Sequence, residues 1–572
     1  MENNWNEKGL TGYPSIDKPW LKYYSVEAIN APLPECTIYE YLWENNKDHL
    51  NDIALIYFGR KITYKILFNN IDKVARSFSA IGVKQGDIVA MCITNTPESI
   101  YCFYALNKIG AISNMIDLRL SAIELLNLLN ELDNKYFVLL NTCYNTAAQI
   151  IEDSKIKKAI VITPFHSMPW PISQKDKHAF ENKIFIGYSE FIRIGKMQQI
   201  IDIYSNSENT AVIEHTGGTT GVPKGVEISN KSMISVAFQY KISGMPMHRG
   251  ETFLCMVPPF ILNGLCTCLN LPLSVGVAVQ LIPQFKQEDF SKYLKSKPEH
   301  VIAAPSWWER LSHDERMKNT DLSFLITAAT GGDGINAENE RKLNDFLMNH
   351  NSKSILLNGY GMTELGSSVC TGMNHCNCIG SIGIPLPKMT LAIFDENESE
   401  LQYNKCGELC VRGPSLMNGY CGNASYETSN IQKTHKDGLI WIHTGDMAHI
   451  TEEGFVVIDG RIKRIIIREG GFKVFPNLVE DVLMKIDGIQ NCAIVGMKVR
   501  ADLTGQVPVA FIVTSDNYQI IEKQCFDTCR KNLANHCIPE KVFFLNELPL
   551  TPIGKVDYRA LEKLAEEEIN EK

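Results

Sequence analysis

The chain alternates short apolar runs with longer amphipathic stretches. Val89-Ala90-Met91-Cys92-Ile93, Phe137-Val138-Leu139-Leu140 and Ala159-Ile160-Val161-Ile162 are continuous apolar runs of strand length. Around them, apolar positions recur at helical spacing. Ile71, Val74, Phe78 and Ile81 follow an opening at Ile62-Thr63-Tyr64, and residues 95–109 and 124–132 repeat the pattern. Doubly apolar strands separated by helices predict parallel βαβ units. The same alternation predicts strands over 211–213, 226–229, 253–257, 277–282, 300–304, 324–328 and 354–357, with helices over 232–243 and 337–350. Residues 1 to about 50 carry aromatics and prolines without a period and read as an arm lying on the first domain.

Beyond residue 380 the texture changes. Short runs at 390–394, 407–412, 440–444 and 455–458, separated by turn signals, predict antiparallel sheet. A third texture begins near Arg461, with helices over 479–486 and 518–536, strands over 491–495 and 509–513, and a charged helical tail from residue 560. At 572 residues the chain is too long for one core. Residues 252–285 lack any charge and are long enough to span a bilayer, but Pro258, Pro259, Asn263, Asn270, Pro272 and Gln280 interrupt them. A buried strand-helix-strand is the better reading. With 56 basic against 65 acidic residues, the net charge of −9 gives no general attraction to nucleic acid or anionic membrane. A polar start without an apolar h-region and scattered cysteines in apolar runs point to a reduced, cytoplasmic protein.

The densest chemistry lies at His215-Thr216-Gly217-Gly218-Thr219-Thr220-Gly221-Val222-Pro223-Lys224-Gly225. Glycines let backbone amides approach a ligand, threonines add hydroxyls, and Lys224 adds a point charge, which together suit a polyphosphate. Pro223 before the lysine and Gly225 after it exclude a Walker A loop. Glu364, in Tyr360-Gly361-Met362-Thr363-Glu364, is a candidate Mg²⁺ ligand, Tyr360 a surface for an aromatic base, and Asp446, in Thr444-Gly445-Asp446, an acceptor for ribose hydroxyls. Read singly, these are equally a surface acid, a core aromatic and a turn former.

Taken in order, the glycine-rich loop, Tyr-Gly-Met-Thr-Glu, Thr-Gly-Asp, Asp459-Gly460-Arg461-Ile462-Lys463 and Pro549-Leu550-Thr551-Pro552-Ile553-Gly554-Lys555 closely resemble the adenylate-forming superfamily of acyl-CoA synthetases, nonribosomal-peptide adenylation domains and firefly luciferase. The resemblance runs from about residue 63 to 561. It implies an α/β fold: a large N-terminal AMP-binding domain (1–460) of βαβ sheets plus a small antiparallel β-barrel subdomain, and a small α+β C-terminal lid (463–572) hinged at Lys463. It implies an AMP-forming acid–thiol ligase using ATP, Mg²⁺ and CoA, with fatty acid metabolism as a setting. Thr216, Gly217, Gly218, Thr219, Thr220, Gly221 and Lys224 would hold the β- and γ-phosphates, with Thr363 beside the α-phosphate and Glu364 on the metal. Gly332 and Tyr360 would border the adenine, Gly361 would belong to the ATP site, and Asp446 and Arg461 would grip the ribose. Lys555 would bridge the substrate carboxylate and the α-phosphate. Gly470, Gly471 and Lys473 would face the site during thioester formation.

The pocket segment departs from many acyl- and aryl-CoA ligases, which carry His after the Phe. Here Ile261 follows Phe260. No acid lies in 252–285 to meet a substrate ammonium, so an amino acid is disfavoured and a simple fatty or aromatic carboxylic acid preferred. Phe260, Ile261, Gly331, Met362 and Trp307 are candidates for the pocket wall. Cys370, His375, Cys376 and Cys378 lack a paired C-x2-C and read as thiols in a loop rather than a zinc site. Two alternatives stay open: loading of a carrier-protein pantetheine in trans, and a non-catalytic nucleotide-binding scaffold. A membrane span and a nucleic-acid partner are not expected, and oligomeric state is unread.

Overall fold

The structure is a computed structural model that describes residues 10–170, 172, 180, 182–199, 206–216, 223–436, 438–468, 472–498, 505–551 and 555–570. Two large sheets dominate it. One has eight strands in the order Gly419–Tyr420, Lys224–Ser229, Thr210–Thr216, Ile112–Met115, Ile88–Cys92, Tyr136–Leu140, Lys158–Ile162 and Phe185–Gly187. From Thr210–Thr216 onward its neighbours are parallel, as the doubly apolar runs predict. The other has nine strands, with a parallel centre formed by Leu356–Met362, Thr327–Thr330, His300–Ala303, Thr252–Cys255, Ala278–Leu281 and Ile53–Tyr57.

The helices follow from their sequences. Thr63 caps Tyr64–Ala80 by accepting from the Ile66 amide, and the helix buries Leu67, Phe68, Ile71, Val74 and Phe78. Thr96 caps Pro97–Lys108, which has proline in its first turn and is buried from Pro97 through Asn107. Just before it, the Asn95 amide donates to the carbonyls of Val257 and Ile282, tying the first sheet's helix to the second sheet's loops. The uncharged stretch 252–285 is strand, helix and strand, with a π-helical turn at Cys266–Asn270. No helix among the described residues is long and apolar enough to cross a membrane.

Several expectations needed correction. Strand 324–328 starts later, at Thr327–Thr330, because Leu325 closes a turn onto Leu322. Helix 518–536 ends at Asn532, where Leu533 turns to extended backbone. The aperiodic arm contains a real helix, Ile38–Asn46, fixed by a Thr37–Glu40 capping box that periodicity over nine residues did not reveal. Cys370 lies in the strand Ser367–Thr371 and so is not a loop residue, while His375, Cys376 and Cys378 lie in the turn region after it, where Cys376 is buried and its backbone is bonded to that of Met373.

Residues 390–461 form a five-stranded antiparallel sheet. Its order is Thr390–Phe394, Gly407–Arg412, Ile440–Ile450 and Gln432–Thr434, with Val456–Arg461 also on the long strand. The pairings among the described residues make an open sheet; a closed barrel was expected. Residues 10–30 run between this sheet and the nine-stranded one, with Ser15 on Glu400 beside the former and Tyr24 donating to the Pro385 carbonyl at the edge of the latter.

After residue 465 the core is separate. Ile489–Lys498, Gln506–Thr514 and Lys541–Leu545 form a three-stranded sheet. Cys492 and Ile494 face the helices Pro476–Leu483 and Tyr518–Asn532, while Ala493 and Val495 face Tyr558–Asn570. This is the period-two alternation of a sheet covered on both sides.

On Pro305–Ser312, Glu309 accepts a 2.8 Å hydrogen bond from Asn339, and burial raises its carboxyl to about 6. A folded-state value above the unfolded one favours folding below about 4.5, and that contribution is lost as pH rises through about 6. Glu309→Gln keeps the acceptor without the charge. It is expected to stabilise the fold by about 1 kcal/mol at pH 8 and by nothing at pH 4, read as melting temperature at the two pH values.

Candidate active site

The site is built around Asp446. Opposite Gly407–Arg412, the register of the long strand jumps from Glu408↔Met447 to Cys410↔His443, so Thr444, Gly445 and Asp446 form a bulge facing Leu409. Gly445 has φ +73°, a conformation that favours glycine. The Thr444 hydroxyl donates to the Leu409 carbonyl at 2.8 Å and accepts from the Asp446 amide at 3.1 Å. Glu408 accepts from the Gly445 amide at 3.1 Å. Thus fixed, Asp446 turns inward and is 2% exposed. One of its oxygens accepts from the Tyr360 hydroxyl at 2.5 Å, and the other meets Arg461 Nε at 2.7 Å. Arg461 lies directly opposite Asp446 in the ladder. Burial, then the Asp446 charge, push the Tyr360 phenol well above its ordinary range. Burial works against the Arg461 charge, but Asp446, Tyr360 and Glu364 outweigh it and hold Arg461 above its usual value.

Glu364 sits in the turn Thr363–Leu365 at the end of Leu356–Met362 and is buried. It accepts a 2.8 Å hydrogen bond from the Tyr420 hydroxyl. The Lys224 ammonium lies 5.3 Å from the Tyr420 ring centroid and pairs with Glu427. Thr216 stands directly across from Lys224 where the hairpin of Thr210–Thr216 and Lys224–Ser229 opens. The connection between them, including Gly217, Gly218, Thr219, Thr220 and Gly221, lies outside the described residues. Beside it, His215 is bonded to Asn114 at 2.7 Å, and burial lowers its imidazole to about 4, so it is neutral near pH 7.

Lys555 enters from the C-terminal part. Its carbonyl accepts from the Thr551 amide, and its amide donates to the Thr551 hydroxyl. The neighbouring Val556 amide donates to Asp333 at 3.3 Å. Protein crowds the ammonium although solvent reaches the residue; this crowding, the largest influence, lowers Lys555, while Asp333 and Asp446 pull it up and Arg461 adds to the depression. Gly332, at φ +87°, makes the turn that carries Asp333. A Cβ on Gly331 would come 3.1 Å from the Gly359 carbonyl, and one on Gly361 only 1.6 Å from the Ser367 carbonyl.

Two groups of expected residues therefore converge. Thr216, Lys224 and Glu364 form one, and Tyr360, Asp446, Arg461 and Lys555 the other, with Glu364 near enough to Arg461 to influence its charge. Phe260, Ile261, Tyr360 and Met362 share one apolar cluster, and the Arg119 guanidinium lies 5.4 Å from the Phe260 ring centroid. Trp307 packs on Phe285 in a different cluster. Lys463 lies in the turn Ile462–Arg464 directly after Arg461. Lys473 pairs with Glu396 at 2.8 Å rather than joining Lys555, while Gly470 and Gly471 lie outside the described residues. Tyr420, Glu427 and Asp333 were not singled out from sequence. The first two come from an aperiodic stretch, and Asp333 stood unassigned directly after Gly331 and Gly332, which were singled out.

Among known proteins, a family model described as AMP-binding enzyme matches residues 42–421, and the AMP-binding enzyme C-terminal domain matches residues 478–555. A long-chain-fatty-acid–CoA ligase of Bacillus subtilis is 28% identical, covering 95% of this chain and 97% of its own length. The 4-coumarate–CoA ligase 1 of Solanum tuberosum is 26% identical, covering 91% and 92%. The crystal structure of ATP-bound MatB from Rhodopseudomonas palustris superposes with a TM-score of 0.81 at 22% identity, over 94% of this chain and 100% of that one, which shows a shared fold. The chain belongs to the AMP-binding enzyme family.

Gly361→Ala places a methyl group inside backbone. It is expected to destabilise the protein by about 3 kcal/mol or to abolish soluble folding, measured by thermal melting. Gly332→Ala, with open space around its Cβ, should cost about 1 kcal/mol through its positive φ alone.

Proposed function

We propose that the chain is an AMP-forming acid–CoA ligase acting on a fatty or aromatic carboxylic acid. The observation that carries this reading is the meeting of Lys555 from the C-terminal part with Asp333, Asp446 and Arg461 of the large part. The long-chain-fatty-acid and 4-coumarate ligase relatives, matched over nearly their whole lengths, support the reaction class.

In the first half-reaction a substrate carboxylate oxygen attacks the α-phosphorus of ATP, the bond to the bridging oxygen breaks, and pyrophosphate leaves. The carboxylate is already a nucleophile, so the protein's work is positioning and charge stabilisation. Lys555 holds the carboxylate and α-phosphate oxygens together, and Thr363 stands beside them. Thr216, Thr219 and Lys224 take the departing phosphates, Lys224 exchanging Glu427 for them. Asp446 and Arg461 bind the ribose, and Gly332 and Tyr360 border the adenine. A single buried carboxylate at Glu364 suits Mg²⁺, which takes few protein ligands and completes its shell with phosphate and water. When bound, that ion neutralises phosphate charge. In the second half-reaction a thiol sulfur attacks the acyl carbon and AMP leaves.

The small domain, 463–572, turns about Lys463 between the two steps and brings Lys473 in place of Lys555. The separate apolar cores after residue 465 and the surface position of the Lys473–Glu396 pair support that motion. A carrier-protein pantetheine presents the same thiol arm as CoA and is the second reading. The seventeen free cysteines fit a reducing cytoplasm.

Pyrophosphate exchange over a panel of fatty and aromatic acids tests the activity, and exchange with none of them sinks it. Lys555→Ala is expected to lower exchange about 10²-fold or more while thioester formation from supplied acyl-adenylate stays within a few-fold. Lys473→Ala should show the opposite split; equal loss in both steps contradicts the two-faced lid.

A further inference from the structure

On the outer side of the antiparallel sheet, away from Asp446, lies a second polar cluster. His435 and His443 are each 6% exposed, and their Nε2 atoms are 2.8 Å apart. Glu408 bonds His443 Nδ1 at 2.7 Å. With Nδ1 held by the carboxylate, His443 Nε2 is the ring nitrogen that faces His435, the arrangement a carboxylate imposes on a metal-binding imidazole. One carboxylate oxygen of Glu398 and one nitrogen from each histidine lie within 4.8 Å of one another. Glu398 has φ +58°, in the left-handed region, on a turn locked by Asp395, which accepts from the Asn397 and Ser399 amides. A non-glycine residue held in this conformation is costly, and here it carries the third donor. Phe394 and Trp441 wall the His435 ring at centroid distances of 4.4 and 6.1 Å. Cys410 Sγ lies within 4.8 Å of ligand atoms of Glu408 and His443.

We propose that His435, His443 and Glu398 form a binding site for a zinc-class divalent cation, oriented by Glu408. Two imidazoles and a carboxylate match zinc in donor type, with a fourth position left for water. Tetrahedral binding needs the two Nε2 atoms about 3.3 Å apart, a small opening of the pair. Lys433 lies 3.4 Å from Glu398 and neutralises part of its charge; it swings to solvent when the cation takes its place. Glu408 bonds His443 with one oxygen and the Gly445 amide with the other. The site is therefore one side chain from the bulge that aims Asp446. That link, which rests on the ligase reading, makes the nucleotide site responsive to metal loading.

The test uses the full chain, stripped with chelator, exposed to Zn²⁺ and desalted. Wild type is expected to retain about one zinc per chain, and His435→Gln and Glu398→Gln less than about one-tenth. Zn²⁺ should raise the melting temperature of wild type but not of the variants, whose own melting curves report whether they fold. Co²⁺ in place of zinc should give the visible bands of a four-coordinate site. Absence of retained zinc in wild type, or equal retention by folded variants, overturns the site. In the ligase assay, loading should lower the ATP KM several-fold with kcat within twofold. An unchanged KM at full zinc occupancy overturns the coupling. Zinc retention without any acid-dependent exchange refutes the ligase reading and leaves the metal site standing.

Discussion

A carboxylate that is 2% exposed is expensive unless its charge is met on the spot. Asp446 meets that requirement with groups from two other segments: the Tyr360 hydroxyl on the nine-stranded sheet, and Arg461 at the end of the strand that leads out of the large domain. Its own backbone is fixed by the Thr444–Gly445 bulge. Removing either partner leaves an under-compensated buried charge, so this small network holds two sheets and the exit to the C-terminal part in one register. Lys555 then approaches a surface where Asp446 and Asp333 offset Arg461, which lets an ammonium sit beside a guanidinium.

The remaining site geometry follows from parallel strands. Thr216, Thr330 and Met362 are the last residues of strands, and the chemistry gathers in the loops that follow those carboxyl ends, as open α/β sheets dictate. Gly361 occurs where backbones come too close for a side chain, and at Gly331 a Cβ would make a tight contact with the Gly359 carbonyl. They bring Leu356–Met362 and its neighbours together tightly enough for Tyr360 to reach Asp446. The glycines of the motif thus act through packing, as well as through any contact with ligand.

Much of this architecture was readable because its signals are local. The strands at 89–93, 137–140 and 159–162 are apolar on both faces, and Thr63 and Thr96 cap their helices with ordinary chemistry. The five ordered motifs identify the family, and the matched models bear that out. What stayed hidden was non-local. Ile53–Tyr57 pairs with Ala278–Leu281, more than two hundred residues on, and no short window carries that information. Tyr420 and Glu427 matter because the fold lays them beside Glu364 and Lys224. The Thr-Gly-Asp motif looked like a turn, yet it is a bulge inside an eleven-residue strand, since an αL glycine is compatible with both.

The bulge has two sides, and the same residue serves both. Glu408 spends one oxygen on the Gly445 amide, on the side that presents Asp446, and the other on His443, on the outer side. With desolvation opposing it, the His443 bond and the Gly445 amide still hold the Glu408 carboxyl below its ordinary range, so it is ionised across the neutral range. An ionised acceptor with two fixed partners is stiff: shifting one partner displaces the other. Any change at the histidine pair therefore bears on the backbone that presents Asp446, and any load on Asp446 bears on the histidines. A buried aspartate held by a bulge rather than a turn gains an outer face through which it can be adjusted, and in this chain that face is lined with imidazoles and carboxylates.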